Sequence, residues 1–178
     1  NTSLPVICLT KSIFEDGFVR ITGSFAEVEA LLKINATFIA VDGTYRIREK
    51  QYTGPDYIKK IKKMYPKILV MADIATSQEA FACYEAGADC ISTTLCGYTP
   101  DTVFVNQEYP SFSLLEECIK FVPRDFPIMA EGRFNKPEYA AQAIENGAWA
   151  VIVGTSITRP QIITRWYVNA IKKKVGQI

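Results

Sequence analysis

Several short apolar stretches end in residues able to move a proton: VICLTK in Lys11, AVDGT in Asp42 and Thr44, LVMAD in Asp73 and IMAE in Glu131, the last followed at once by Gly132 and Arg133. The 178 residues contain no histidine. That excludes Ser-His-Asp and Cys-His mechanisms and the usual zinc sites, and it leaves carboxylates, lysine, tyrosine and cysteine for proton transfer. A lysine drawn into a barrel mouth loses solvation, which lowers its pKa until it can serve as a base or form a Schiff base near neutral pH. Lys11 and Glu131 are therefore the best-placed proton carriers. From different strands they could address one carbon centre from two sides. The plainer alternative is that Lys11 is an exposed strand end and that each carboxylate only caps the helix after it.

The last two units suggest an anion. EGR follows one apolar stretch, and GTSITRP, with Gly154, Thr155 and Arg159, follows the next. Glycine lets a phosphate approach main-chain N–H groups, and Arg133 and Arg159 could add bidentate contacts. Barrels commonly build a phosphate site from the loops after their final two strands.

Positioning these tips requires strands. Six are expected, over 4–11, 37–44, 67–74, 90–95, 127–133 and 150–155, each apolar on both faces and separated by helical patterns, which is the signature of repeated βαβ units. Ser24 with Glu27, Thr76 with Glu79 and Ser113 with Glu116 have capping-box spacing, Pro55, Pro137 and Pro160 suit first helical turns, and Gly87 and Gly147 suit C-caps. The lysines of IKKIKKMY read as a solvated helix face. Residues 71–93 also resemble residues 129–153, with Asp73 and Glu131 at equivalent strand ends. Repeats of this size with no linker favour one (β/α) barrel over two domains. A closed barrel needs eight units, so six predict that about two βα units are absent at the amino end and that 1–178 is a single domain holding units three to eight.

Composition sets the remaining bounds. With 48% hydrophobic and 22% charged residues and a net charge of +1, the chain is an ordinary globular sequence with no general attraction to nucleic acid or anionic lipid. No apolar run approaches the roughly 20 residues of a membrane span, and no signal peptide is visible. Five cysteines without CxxC spacing read as reduced residues of an intracellular protein.

Taken in order, LPVICLTK, VDGTYRIR, MADIAT, STTLCGYT, IMAEGRFNKPE and VGTSITRPQIITRW closely resemble the N-acetylmannosamine-6-phosphate 2-epimerase family. The resemblance implies a (β/α)8 TIM barrel, a cytoplasmic isomerase of amino-sugar and sialic acid catabolism that inverts C2 of N-acetylmannosamine 6-phosphate to give N-acetylglucosamine 6-phosphate. It implies an enediolate-like intermediate, no cofactor and no metal. The implied partner is a phosphosugar, without nucleic acid or membrane, in a homo-oligomer expected to be a dimer. Lys11 and Glu131 match the family's catalytic pair. Asp73 is expected to bind sugar hydroxyls or orient Lys11, while Gly132, Arg133, Gly154, Thr155 and Arg159 are expected to hold phosphate and sugar. Thr155 stands where the family usually has a second glycine. Alternatives are another barrel phosphosugar isomerase and a catalytically silent sugar-phosphate binder.

Overall fold

A computed structural model describes residues 3–105 and 108–175. Its body is a parallel sheet whose strands follow one another in chain order: β3 (Phe38–Asp42), β4 (Leu69–Asp73), β5 (Cys90–Ser92), β6 (Ile128–Glu131) and β7 (Ala150–Ile152). Helix α1 (Phe25–Lys33) precedes β3, helices α2 (Gly54–Met64), α3 (Ser77–Glu85), α4 (Phe112–Phe121) and α5 (Pro137–Glu145) connect successive strands of the sheet, and α6 (Thr155–Thr158) and α7 (Pro160–Val175) follow β7. Sequential parallel order with one helix per crossover is the wall of a (β/α) barrel, so the α/β barrel class expected from the repeats is the fold observed. Among the described residues the wall is an open arc.

The first expected strand is corrected. Over 4–11 the chain pairs with the sheet only at Cys8, opposite Ile39, through Cys8 N–H to Phe38 O (2.9 Å) and Ala40 N–H to Cys8 O (2.9 Å). It then folds into an antiparallel hairpin of β1 (Lys11–Ile13) and β2 (Val19–Ile21) that the apolar pattern did not predict. The cause lies in the turn: Phe14 N–H reaches Phe18 O, Gly17 takes φ +78°, and the Asp16 carboxylate accepts from Phe18 N–H. Asp-Gly before an alternating run is a strong hairpin signal, and here it ends the parallel run early. Another correction concerns α4, which begins at Phe112 after Ser111 with no side-chain cap. Ser113 is thus already inside the helix and cannot cap it.

The other start and stop signals form as expected. Capping boxes close at Ser24 with Glu27 and at Thr76 with Glu79, and Pro55 and Pro137 occupy first turns. Gly87 and Gly147, at φ +93° and +101°, follow the last residues of α3 and α5. In the lysine run, Lys62 bonds the Asp89 carboxylate (2.7 Å) and Ile68 O (2.9 Å).

Period-two alternation divides the sheet between two cores. Ile39, Val41, Val70, Ala72, Ile91, Ile128 and Ala130 pack under the helices, while Ala40, Met71, Cys90 and Met129 form the inner cluster with Ile21, Ala75 and Leu95. Side chains two apart share a face. Continuing the inner columns by one step gives Asp42, Asp73, Ser92 and Glu131. Four polar residues therefore leave the inner core together at the carboxyl ends of adjacent strands.

Candidate active site

The strand register holds these tips side by side: Asp42 is opposite Asp73, and Asp73 is opposite Ser92. The next strand is bound by a hydroxyl, with Thr93 Oγ1 accepting from Glu131 N–H (3.0 Å) and donating to Glu131 O (2.9 Å). This doubly bonded threonine fixes the backbone under the Glu131 side chain.

Two neighbouring aspartates of similar burial have opposite surroundings. Asp42 is fully buried and lies between two arginines. Its Oδ2 pairs with Arg46 Nη2 at 2.5 Å and its Oδ1 with Arg48 Nη2 at 3.3 Å, while Arg48 Nη1 bonds the Asp42 carbonyl at 2.7 Å. Thr44 adds its N–H and hydroxyl to Oδ1. Burial lowers the pKa of both guanidinium groups and Asp42 opposes it. These arginines tie the 43–48 loop to its own strand.

Asp73 is just as deep, 1% exposed, and among the described residues it forms no ion pair. Its Oδ1 meets the Thr94 hydroxyl at 3.0 Å. Burial, reinforced by the charge of Glu131, raises its pKa well above the aspartate range, and the Thr94 and Ser92 hydroxyls only partly oppose this. The native state therefore binds a proton that the unfolded chain releases above the ordinary value. The group's contribution to stability is present at low pH and is lost as pH rises through its native value. Asp73→Asn, which copies the shape of the neutral acid, should be at least as stable as the parent at neutral pH. The gap should widen as pH increases, measured by urea midpoints across the neutral range.

Thr94 joins the two acids. Its Oγ1 lies 2.7 Å from Glu131 Oε2, which Ser92 Oγ also reaches at 3.0 Å, and the two hydroxyl oxygens touch each other. Asp73 and Glu131, equivalent in the internal repeat, are thus brought to one cluster. Neither Ser92 nor Thr94's central place was anticipated; the signal was polar residues at alternate positions in CISTT.

The other expected residues are placed as follows. Lys11 opens β1 and is exposed, with no hydrogen bond or ion pair to Asp73 or Glu131. Gly132 has φ +106° and Arg133 φ +61°, so the chain turns sharply just past Glu131, and the first of these positions suits glycine. Arg133 donates from Nε to Tyr109 O (3.1 Å) and from Nη1 to Cys96 O (2.9 Å), and it lies over the Tyr98 ring. It therefore braces the loop after β5 against β6. Gly154 precedes α6 with open space where a Cβ would stand, Thr155 begins that helix and Arg159 ends it with an exposed side chain.

Glu79 links two units. Its Oε2 caps Ala75 and Thr76 N–H groups, and its Oε1 accepts from Tyr45 N–H at 2.9 Å in the loop that carries Arg46 and Arg48. Burial raises its pKa, and these three amides pull it back down.

Comparison with known proteins gives a consistent result. A family model described as "Putative N-acetylmannosamine-6-phosphate epimerase" matches residues 1–173. Relatives carrying the 2-epimerase form of that description include one from Caldanaerobacter subterraneus subsp. tengcongensis, 43% identical over 98% of this chain and 72% of its own length. One from Clostridioides difficile is 42% identical over 96% of this chain and 74% of its own. The solved structure of the N-acetylmannosamine-6-phosphate 2-epimerase from Clostridium perfringens superposes with a TM-score of 0.83 at 37% identity, covering 95% of this chain and 71% of that one.

Proposed function

Because the chain belongs to the N-acetylmannosamine-6-phosphate epimerase family, we propose that it interconverts N-acetylmannosamine 6-phosphate and N-acetylglucosamine 6-phosphate by moving the proton on C2. The observation that carries this reading is the pair of acids, Asp73 and Glu131, brought to adjoining strand tips and joined through one hydroxyl. In the open-chain sugar, C2–H lies next to the C1 aldehyde. Removing that proton sends its electron pair toward O1 as an enolate, and returning a proton to the opposite face completes the inversion. The chemistry is proton transfer by positioned side chains, which lysine and glutamate can supply.

Lys11 is assigned proton exchange at C2. Lys11 stands opposite Ile21 in the hairpin, and Ile21 belongs to the inner cluster, so as cross-strand partners the two share the inner side. Glu131 is the partner acid and base, acting on the other face or on the O1 and O5 protons of ring opening. The phosphate goes to the turn at Gly132 and Arg133 and to the segment from Gly154 and Thr155 to Arg159, where open space beside Gly154 leaves the main chain approachable. The same reading makes the protein a cytoplasmic homodimer that takes no nucleic acid. Its near-zero net charge supports the last point, and sedimentation velocity would read the assembly.

Incubation with N-acetylmannosamine 6-phosphate in D2O tests the reading. Epimerisation should place deuterium at C2 of the product, followed by NMR, and Lys11→Ala should lose that exchange. Inversion without deuterium uptake would overturn proton transfer with solvent-exchangeable groups, and binding without turnover would make the protein a silent sugar-phosphate binder.

A further inference from the structure

The hydroxyls of Ser92 and Thr94 are asked to serve more contacts than they have hydrogens. Four close oxygen pairs are present: Ser92 with Thr94, Ser92 with Glu131, Thr94 with Asp73 and Thr94 with Glu131. Each hydroxyl donates once, and an ionised carboxylate only accepts. With both acids ionised, Thr94 could serve one carboxylate and would leave the other facing a lone pair. A proton on one carboxyl removes this conflict. Asp73 is the acid that takes it, because it lies within the protein at 1% exposure while Glu131 is half-buried.

The charged and titratable groups around Asp73 agree. Asp42 faces it from β3, Glu131 from β6 and the Cys90 thiol from β5. Arg46 and Arg48, at the neighbouring strand tip, are bound to Asp42. Among the described residues, none forms an ion pair with Asp73.

We infer that Asp73 is a proton store for Glu131, with the Thr94 hydroxyl as the relay between them. In the resting arrangement the Asp73 carboxyl donates to Thr94 Oγ1 and Thr94 donates to the Glu131 carboxylate, which is ready to act as a base. When Glu131 must act as an acid, Thr94 passes its own hydrogen to Glu131 Oε2 as it receives the one from Asp73. One O–H bond breaks and one forms at each transfer, and the negative charge moves from Glu131 to Asp73. The reverse shift restores the start. A single stored proton thus lets one glutamate work as base or acid, which a reaction run in both directions requires. Asp73 and Thr94 act through Glu131 and are positioning residues.

This rests on the epimerase reading for its chemistry, and the tests separate the two. Infrared difference spectra of the protein near neutral pH, without substrate, should show the carbonyl stretch of a protonated carboxylic acid that shifts in D2O and vanishes in Asp73→Asn. Absence of that band, or its survival in the variant, overturns the store whatever the enzyme's activity. Thr94→Val should lower kcat by about 10²-fold with KM changed little, since a group handling proton transfer contributes on that scale. Thr94→Ser, which keeps the hydroxyl, should restore most of the rate and the parent pH profile. Full activity in Thr94→Val, or no rescue by serine, overturns the relay. Should the valine variant not fold, the infrared arm and the serine variant still decide the matter.

Discussion

Glu131→Gln is expected to abolish most epimerisation, lowering kcat by about 10³-fold with KM held within a few-fold, since proton transfer by a positioned side chain contributes about 10²–10⁴ in rate. Glutamine preserves the shape and can still accept from Ser92 and Thr94 through its carbonyl oxygen. The Thr93 bonds to the Glu131 backbone are untouched, so the strand tip should stay in place and the loss should fall on kcat. Steady-state kinetics with N-acetylmannosamine 6-phosphate, alongside thermal unfolding to verify the fold, measures this. A variant within tenfold of the parent would remove Glu131 from the chemistry.

Asp42→Ala should be the most destabilising change at the strand tips, for the opposite reason. The Arg48 and Asp42 side chains are fully buried and Arg46 is 8% exposed, so deleting the carboxylate strands two guanidinium groups in a low-dielectric site. Breaking a buried ion pair from one side costs about 3–5 kcal/mol. For a domain of this size that corresponds to a fall in Tm of roughly 6–20 °C, readable by calorimetry. A fall of only a degree or two would mean that the arginines find water. Asp73, its register neighbour across the sheet, should show none of this when changed to asparagine, because among the described residues it forms no ion pair.

Much of this arrangement can be read in the sequence where a rule acts over short range. Alternation of apolar strands with capped helices predicts the crossovers, and the repeat of Met-Ala-acid predicts that Asp73 and Glu131 end equivalent strands. The inner column through Ala40, Met71, Cys90 and Met129 makes those tips converge for the same period-two reason. What is not legible is which tip meets which partner. YRIR gives no sign that both arginines fold back onto Asp42, and STT does not say which hydroxyl spans two acids, since both depend on loop paths set by tertiary packing. Arg133, expected at the phosphate from its type and place, donates to two loop carbonyls, and a guanidinium suits either use equally well. The hairpin at 11–21 was legible in Asp16 and Gly17. The apolar run of VICL masked it, because a long parallel strand and a short one ended by a tight turn share the same opening residues.

Glu79 makes the rim of the sheet behave as a linkage. Each βα unit could be expected to soften by itself, with its own cap and its own loop. Here the carboxylate that holds the first turn of α3 also grips Tyr45 in the preceding unit. Fraying at Thr76 therefore lets go of the loop that delivers Arg46 and Arg48 to Asp42. A disturbance entering at α3 is felt at the tip of β3 without crossing the core, and opening at this rim should involve neighbouring units together.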